Sequence, residues 1–282
     1  MTVTLSTALA HLGPDQPAVL VTVAEALGST PREAGARMLV TERDIAGTIG
    51  GGQLEWRAVE AARELLAEGG TARRLDLPLG PALQQCCGGY VAVTLEAVTP
   101  AVRERLAGEI AASLARLPLV ALYGAGHVGR AVVTALAPLP CRTLWIDSRA
   151  DPFPDLLPAN AEARHAAEPA AIAANLPPGT FHLVMTHSHP LDLDIVEAVL
   201  RRGDFAWLGL IGSDTKRRRF EGQLRARGVP TSRLDRLVCP VGIRGIDGKE
   251  PAVIAASVAA QLLLAFEAAA AARTTPALEG AA

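Results

Sequence analysis

Short apolar runs and one amphipathic helix make up the first third of the chain. A helix is expected at residues 5–12, then strands at 18–23 and 36–40, separated by the turn-rich Gly28-Ser29-Thr30-Pro31-Arg32. Leu54, Ala58, Ala61, Leu65 and Leu66 recur at helical spacing and predict a helix over 53–68. Strands at 73–77 and 90–98 follow, giving an α+β layer order over 1–99. Residues 100–117 read as a linking helix, with Pro118 at the boundary.

From there the pattern changes to continuous apolar runs alternating with helices, the order of a parallel sheet. Strands are expected at 119–123, 142–146, 181–186 and 205–211, with a short one at Val238. Helices are expected through 131–136 and over 192–201, 214–227 and 251–272. The predicted fold class is therefore α/β: an N-terminal α+β domain, then a Rossmann-like doubly wound parallel sheet over 118–273 and a flexible tail at 274–282.

Composition narrows the function classes. The 282 residues are 50% hydrophobic and 20% charged, with a formal net charge of −2, which disfavours a generic nucleic-acid or anionic-membrane binder. Arginine carries nearly all the positive charge, since Lys216 and Lys249 are the only lysines. Four cysteines in a chain this long do not form a disulfide framework. The N-terminus lacks the features of a signal peptide. Residues 252–272 come nearest to a membrane span, and the interruptions at Gln261 and Glu267 argue against one. The expected location is cytoplasmic, in a reducing compartment.

Candidate chemistry gathers at glycine-rich turns and at one cysteine pair. Gly50, Gly51 and Gly52 open a helix, where backbone N–H groups and the helix dipole suit a phosphate. A tight connection needing positive φ explains the same glycines equally well. Arg32 is the candidate counter-charge, and Glu55 lies in the first helical turn, where a carboxylate is favoured. The G-x-G-x-x-G pattern of Gly124, Gly126 and Gly129 lies between an apolar strand and a helix, and Asp147 ends the next strand. In that context the glycines admit a pyrophosphate and the acid holds a ribose hydroxyl. Neighbouring Cys86 and Cys87 cannot pair without strain, and Gly88-Gly89 follow them. They are either core thiols or a reactive site. His187 and His189, with Asp192 and Asp194, are candidate metal ligands, although a turn opened by Pro190 accounts for the same residues. Lys216 and the three arginines after it read as a solvated face. Residues 242–249 form a glycine-rich loop long enough to close over a ligand, while Cys141 and Cys239 read as core thiols.

Taken in order, these motifs resemble the XdhC/CoxI family of accessory proteins of xanthine dehydrogenase and related molybdenum hydroxylases. The resemblance rests on 28–32, 47–52 with Leu54-Glu55, 85–89, 124–129, 186–192, 210–213 and the segment from 242 to 251. It implies a chaperone without turnover of its own, which binds the molybdenum cofactor (molybdopterin) and shields it from oxidation. Such a protein holds the cofactor while a cysteine desulfurase installs the terminal sulfido ligand, then passes it to the molybdenum subunit of apo-xanthine dehydrogenase. The resemblance also implies a homodimer. It makes Cys86 or Cys87 a molybdenum ligand or sulfur relay, with Cys87 the candidate metal ligand, and it places the cofactor's phosphate at Gly50, Gly51 and Gly52. The alternative reading is an NAD(P)-dependent oxidoreductase built on Gly124, Gly126, Gly129 and Asp147, with His187 or His189 as acid/base. A metal-dependent hydrolase built on the His187 cluster is a third.

Overall fold

The computed structural model describes residues 2–79 and 89–274. The chain divides into two units, residues 1–116 and 117–282.

In the first unit the elements are α1 (Thr2–His11), β1 (Ala18–Leu27), β2 (Arg37–Thr41), β3 (Ile45–Gly47), α2 (Gly52–Ala67), β4 (Ala72–Pro78), β5 (Tyr90–Ala97) and α3 (Pro100–Ala115). The strands form one antiparallel sheet in the order β3-β2-β1-β5-β4. The α+β reading holds for this unit. Side chains alternate across a strand, so Val19, Val21 and Val23 of β1 meet Leu54, Ala58, Ala61 and Leu65 of α2. On the opposite face Ala18 and Leu20 meet Leu5 and Leu9 of α1 and Leu106 and Ile110 of α3. Helices cover both faces of β1, which is why it opens on the apolar run 18–21 rather than on an apolar–polar alternation. The helix expected as a link is built into this unit: Thr99 caps it by accepting the Val102 N–H, and Arg37 of β2 pairs with Glu109 on it.

In the second unit β6 (Leu119–Tyr123), β7 (Arg142–Asp147), β8 (Ala161–His165), β9 (Phe181–Val184), β10 (Trp207–Leu210) and β11 (Leu237–Val238) form an all-parallel sheet. Its order, β11-β10-β9-β6-β7-β8, is that of a doubly wound Rossmann sheet, as the sequence implied. The switch point lies between β6 and β9. The helices are α4 (His127–Leu136), α5 (Pro169–Ala173), α6 (His189–Arg202), α7 (Asp214–Ala226), α8 (Thr231–Leu234) and α9 (Pro251–Thr274). Helix α6 begins three residues before the predicted position: Ser188 caps it, and Pro190 fits its first turn.

One sequence expectation fails here. By length and composition α9 is long and apolar enough to cross a bilayer, because Gln261 and Glu267 dilute its hydropathy too little. One face of it, Ala255, Val258, Ala259, Leu262 and Phe266, packs with Val132, Val133 and Leu136 of α4. The polar interruptions have a local purpose. Gln261 accepts the Gly242 N–H and donates to the Gly242 carbonyl, and Ser257 accepts the Ile243 N–H. Together they fasten the start of the glycine-rich loop to α9.

Candidate functional site

In the first unit the structure brings the Arg32 turn and the glycine turn together. A Cβ on Gly50, whose φ is +132°, would lie 2.6 Å from the Pro31 Cβ, so only glycine permits this approach. Gly89 lies against the same turn: a Cβ there would be 2.5 Å from the Ser29 carbonyl oxygen. Leu79 donates its N–H to the Gly89 carbonyl, which joins the two residues flanking 80–88. Cys86 and Cys87 themselves lie outside the described residues.

The turn that leads into α2 already holds an anion, which is a side chain of the protein. Glu55 Oε2 accepts the Ile49 N–H at 3.0 Å, the Gly51 N–H at 3.2 Å and the Thr48 hydroxyl. Three donors thus converge on one carboxylate oxygen, where the sequence reading placed a phosphate. No partner among the described residues meets Oε1. Ile45, Gly52, Glu55, Trp56 and Val59 line a groove of about 660 Å³ beside the turn, and its rim carries Glu60, Glu64 and Arg63. Trp56 is 59% exposed there.

In the second unit the three fingerprint glycines have distinct positions. A Cβ on Gly124 would be 2.3 Å from the Met185 carbonyl oxygen, and one on Gly129 would be 2.1 Å from the Gly124 carbonyl oxygen. Both approaches involve backbone and cannot relax cheaply. Gly126, by contrast, has no heavy atom within 4 Å of a built Cβ, and it caps α4 without any side-chain hydrogen bond. The start of α4 is therefore an open cradle of backbone N–H groups, which fits a phosphate.

Asp147 lies at the carboxyl end of β7, beside that loop. Its Oδ2 accepts the Ala125 N–H at 2.6 Å and Arg149 Nη2 at 2.8 Å; its Oδ1 accepts the Arg149 N–H and Nε, each at 2.9 Å. A carboxylate offers about four lone-pair sites, and all are used. Burial works against its charge, but the Arg149 hydrogen bonds and the Ala125 N–H outweigh that and hold its pKa down at about 2. In this arrangement Asp147 braces the glycine loop and has no acceptor left for a ribose hydroxyl.

The metal reading of the His187 cluster does not survive. Among the described residues, no group of three or more His, Cys, Asp or Glu side chains could hold a metal ion. His187 and His189 are exposed, and Asp194 pairs with Arg227 on the surface. Asp192 turns inward and is fully buried. Its Oδ1 accepts the Thr186 N–H and hydroxyl, and its Oδ2 accepts Lys216 Nζ at 2.7 Å. Lys216 also donates to the Ile211 carbonyl and is only 12% exposed, so it is no part of a solvated face. This pair ties the ends of β9 and β10 to α6 and α7 at the sheet's carboxyl edge. The rarity of lysine in an arginine-rich chain was the one available sign of it. Cys141 and Cys239 are buried, and burial pushes both thiols up to about 11, which removes them as thiolates near neutral pH.

The second unit is thus a Rossmann-type α/β module whose glycine loop leads into an uncapped helix start, joined in sequence to an antiparallel α+β unit with its own glycine turn. Comparison with known proteins gives the assignment its detail. The XdhC Rossmann domain matches residues 120–262, and the description "XdhC and CoxI family" matches residues 11–77. The chain belongs to the XdhC and CoxI family. It is 30% identical over 253 residues to the uncharacterized protein YqeB of Escherichia coli (strain K12), an alignment covering 88% of this chain and 43% of YqeB. The chain therefore spans less than half the length of that relative. A solved structure from Bacillus halodurans, described as a xanthine dehydrogenase, shares the fold at a TM-score of 0.70 and 23% identity, covering 99% of this chain and 98% of that one.

Proposed function

We propose that this protein serves the maturation of xanthine dehydrogenase as a carrier of the molybdenum cofactor. It binds the cofactor, holds it during sulfuration by a cysteine desulfurase, and delivers it to the apo-enzyme, with no turnover of its own. The observation that carries this reading is family membership along both units. The bare α4 N-terminus supports it, since the cofactor carries a phosphate and the cradle there has no competing side chain. Molybdenum is thiophilic, so Cys86 or Cys87 supplies a thiolate ligand or relays sulfur. A homodimer in the cytoplasm completes the proposal.

The test is retention of metal. Protein purified with excess cofactor should keep molybdenum, and Cys86→Ala or Cys87→Ala should lose it. Equal retention in all three proteins would remove the cysteines from the mechanism, and no retention in the wild type would remove the binding claim. The oxidoreductase alternative is weakened by Asp147, whose acceptor sites are all filled by the protein. Nicotinamide binding in a millimolar titration would revive it.

A further inference from the structure

The groove beside α2 combines two features that the phosphate reading of its glycine turn does not use. The first is a carboxylate with one oxygen committed and one oxygen available. Glu55 Oε2 is fixed by the Thr48, Ile49 and Gly51 donors, which set the plane of the carboxyl group. Its Oε1 has no partner among the described residues, and Glu55 lines the groove. The second is the next residue, Trp56, a large aromatic left 59% exposed in the first turn of a helix. Other tryptophans of the chain are used differently, Trp145 being buried in the core of the second unit.

The charge of the groove selects among ligands. Glu55, Glu60 and Glu64 line it with Arg63, whose guanidinium already donates to the Thr41 and Arg43 carbonyls, and Glu64 is paired with Arg73. A phosphate would face the Glu55 and Glu60 carboxylates and find the Ile49, Gly50 and Gly51 amides occupied. What the groove offers instead is a flat apolar face for stacking and an oriented acceptor beside it. That pairing suits a planar heterocycle with an N–H donor edge. A 2-amino-4-oxopyrimidine ring presents an amino group at that edge, and the free Oε1 accepts its N–H.

We propose that Glu55 and Trp56 form a recognition site for an aminopyrimidinone heterocycle, with Trp56 stacking on the ring and Glu55 reading its donor edge. The inference rests on the cofactor-carrier reading, because such a ring is the pterin part of that cofactor. It assigns the heterocycle to the first unit, in place of the phosphate that the glycine turn suggested.

The experiment uses the full chain and two commercial probes. Pterin carries the 2-amino group, and lumazine replaces it by oxygen, which puts an acceptor where the amino donor was and leaves the fused ring and its N3–H. Binding is followed by tryptophan quenching and by equilibrium dialysis. Pterin should bind at least tenfold more tightly than lumazine, and Trp56→Ala should weaken pterin at least tenfold. Trp56 is exposed, so that variant keeps its fold, which circular dichroism verifies. Glu55→Gln should bring pterin and lumazine within threefold of one another. Equal binding of the two probes to the wild type, unchanged pterin affinity in Trp56→Ala, or no pterin binding at millimolar concentration would each overturn the assignment. Molybdenum retention by the wild type is measured in parallel. Retention without pterin recognition sinks this site alone, whereas absent retention sinks the carrier reading.

Discussion

His182 gives a quantitative test of the Rossmann unit's core. It sits on β9, 3% exposed, with Nδ1 at 3.0 Å from the Tyr123 hydroxyl and its ring stacked 6.0 Å from the Tyr123 ring. Burial, helped by the positive charge of Arg202, lowers its pKa from the ordinary 6.5 to about 4. Above pH 6.5 the imidazole is neutral in both folded and unfolded chains, and it adds no pH dependence. Below that, the unfolded chain takes up a proton that the fold refuses, so stability falls until the fold also protonates near pH 4. At 1.36 kcal/mol per pH unit, the gap corresponds to a loss of about 3 kcal/mol, of which about 2 kcal/mol has gone by pH ~5. The comparison is with His182→Gln, which keeps a polar partner for Tyr123 but cannot titrate. Both proteins are unfolded in urea over a pH series in a Trp56→Phe background, so that Trp145 and Trp207 report the second unit. The stability difference between them should shift toward the variant by about 2 kcal/mol between pH 7 and pH ~5. A difference that stays constant over that range would refute the claim that His182 is held neutral by burial.

The other predictions address single contacts. Lys216→Met leaves the Asp192 carboxylate buried and unpaired and should cost about 3–5 kcal/mol in thermal or urea unfolding, whereas Asp192→Asn with Lys216→Met should recover part of that; additive single effects would show that the pair is not coupled. Gly129→Ala drives a Cβ into the Gly124 carbonyl and should give little folded protein, while Gly126→Ala, with open space around it, should melt close to wild type and show any loss only in ligand binding. Arg149→Gln removes two side-chain donors from Asp147, so that carboxyl should titrate above its present value of about 2. Because a depressed carboxyl pKa contributes stability above its ordinary range and loses it on acidification, the variant should begin its acid unfolding at higher pH than the wild type. Matching acid transitions in the two proteins would show that Arg149 does not set that pKa.

The Rossmann unit was legible because its strands are buried on both faces. Residues 119–123 are a continuous apolar run and 181–184 are one broken only by the buried His182, and the glycine fingerprint fixes where the strand ends and α4 begins. The elements that escaped notice, β3, β8, α5 and α8, are short, and β8 is an edge strand whose sequence Ala161-Glu162-Ala163-Arg164-His165 has no apolar run to mark it. Side-chain direction was less legible still. Asp192 and Asp194 are two residues apart on one helix, yet one is buried against Lys216 and the other meets Arg227 at the surface. Spacing along the chain grouped them as ligands, but helical geometry turns them roughly 200° apart.

The two glycine turns show where motif reading stops. Both open a helix, and both are answered by a carboxylate of the protein itself, but the carboxylates engage different donors. Glu55 collects the Ile49 and Gly51 amides and the Thr48 hydroxyl onto one oxygen, and Gly51 caps α2 without a side-chain hydrogen bond. Asp147 takes a single loop amide, that of Ala125, and spends its remaining capacity on Arg149, so the amides that start α4 stay uncapped. The same residue types in similar turns therefore brace their loops through different donors, a difference that spacing along the chain does not reveal.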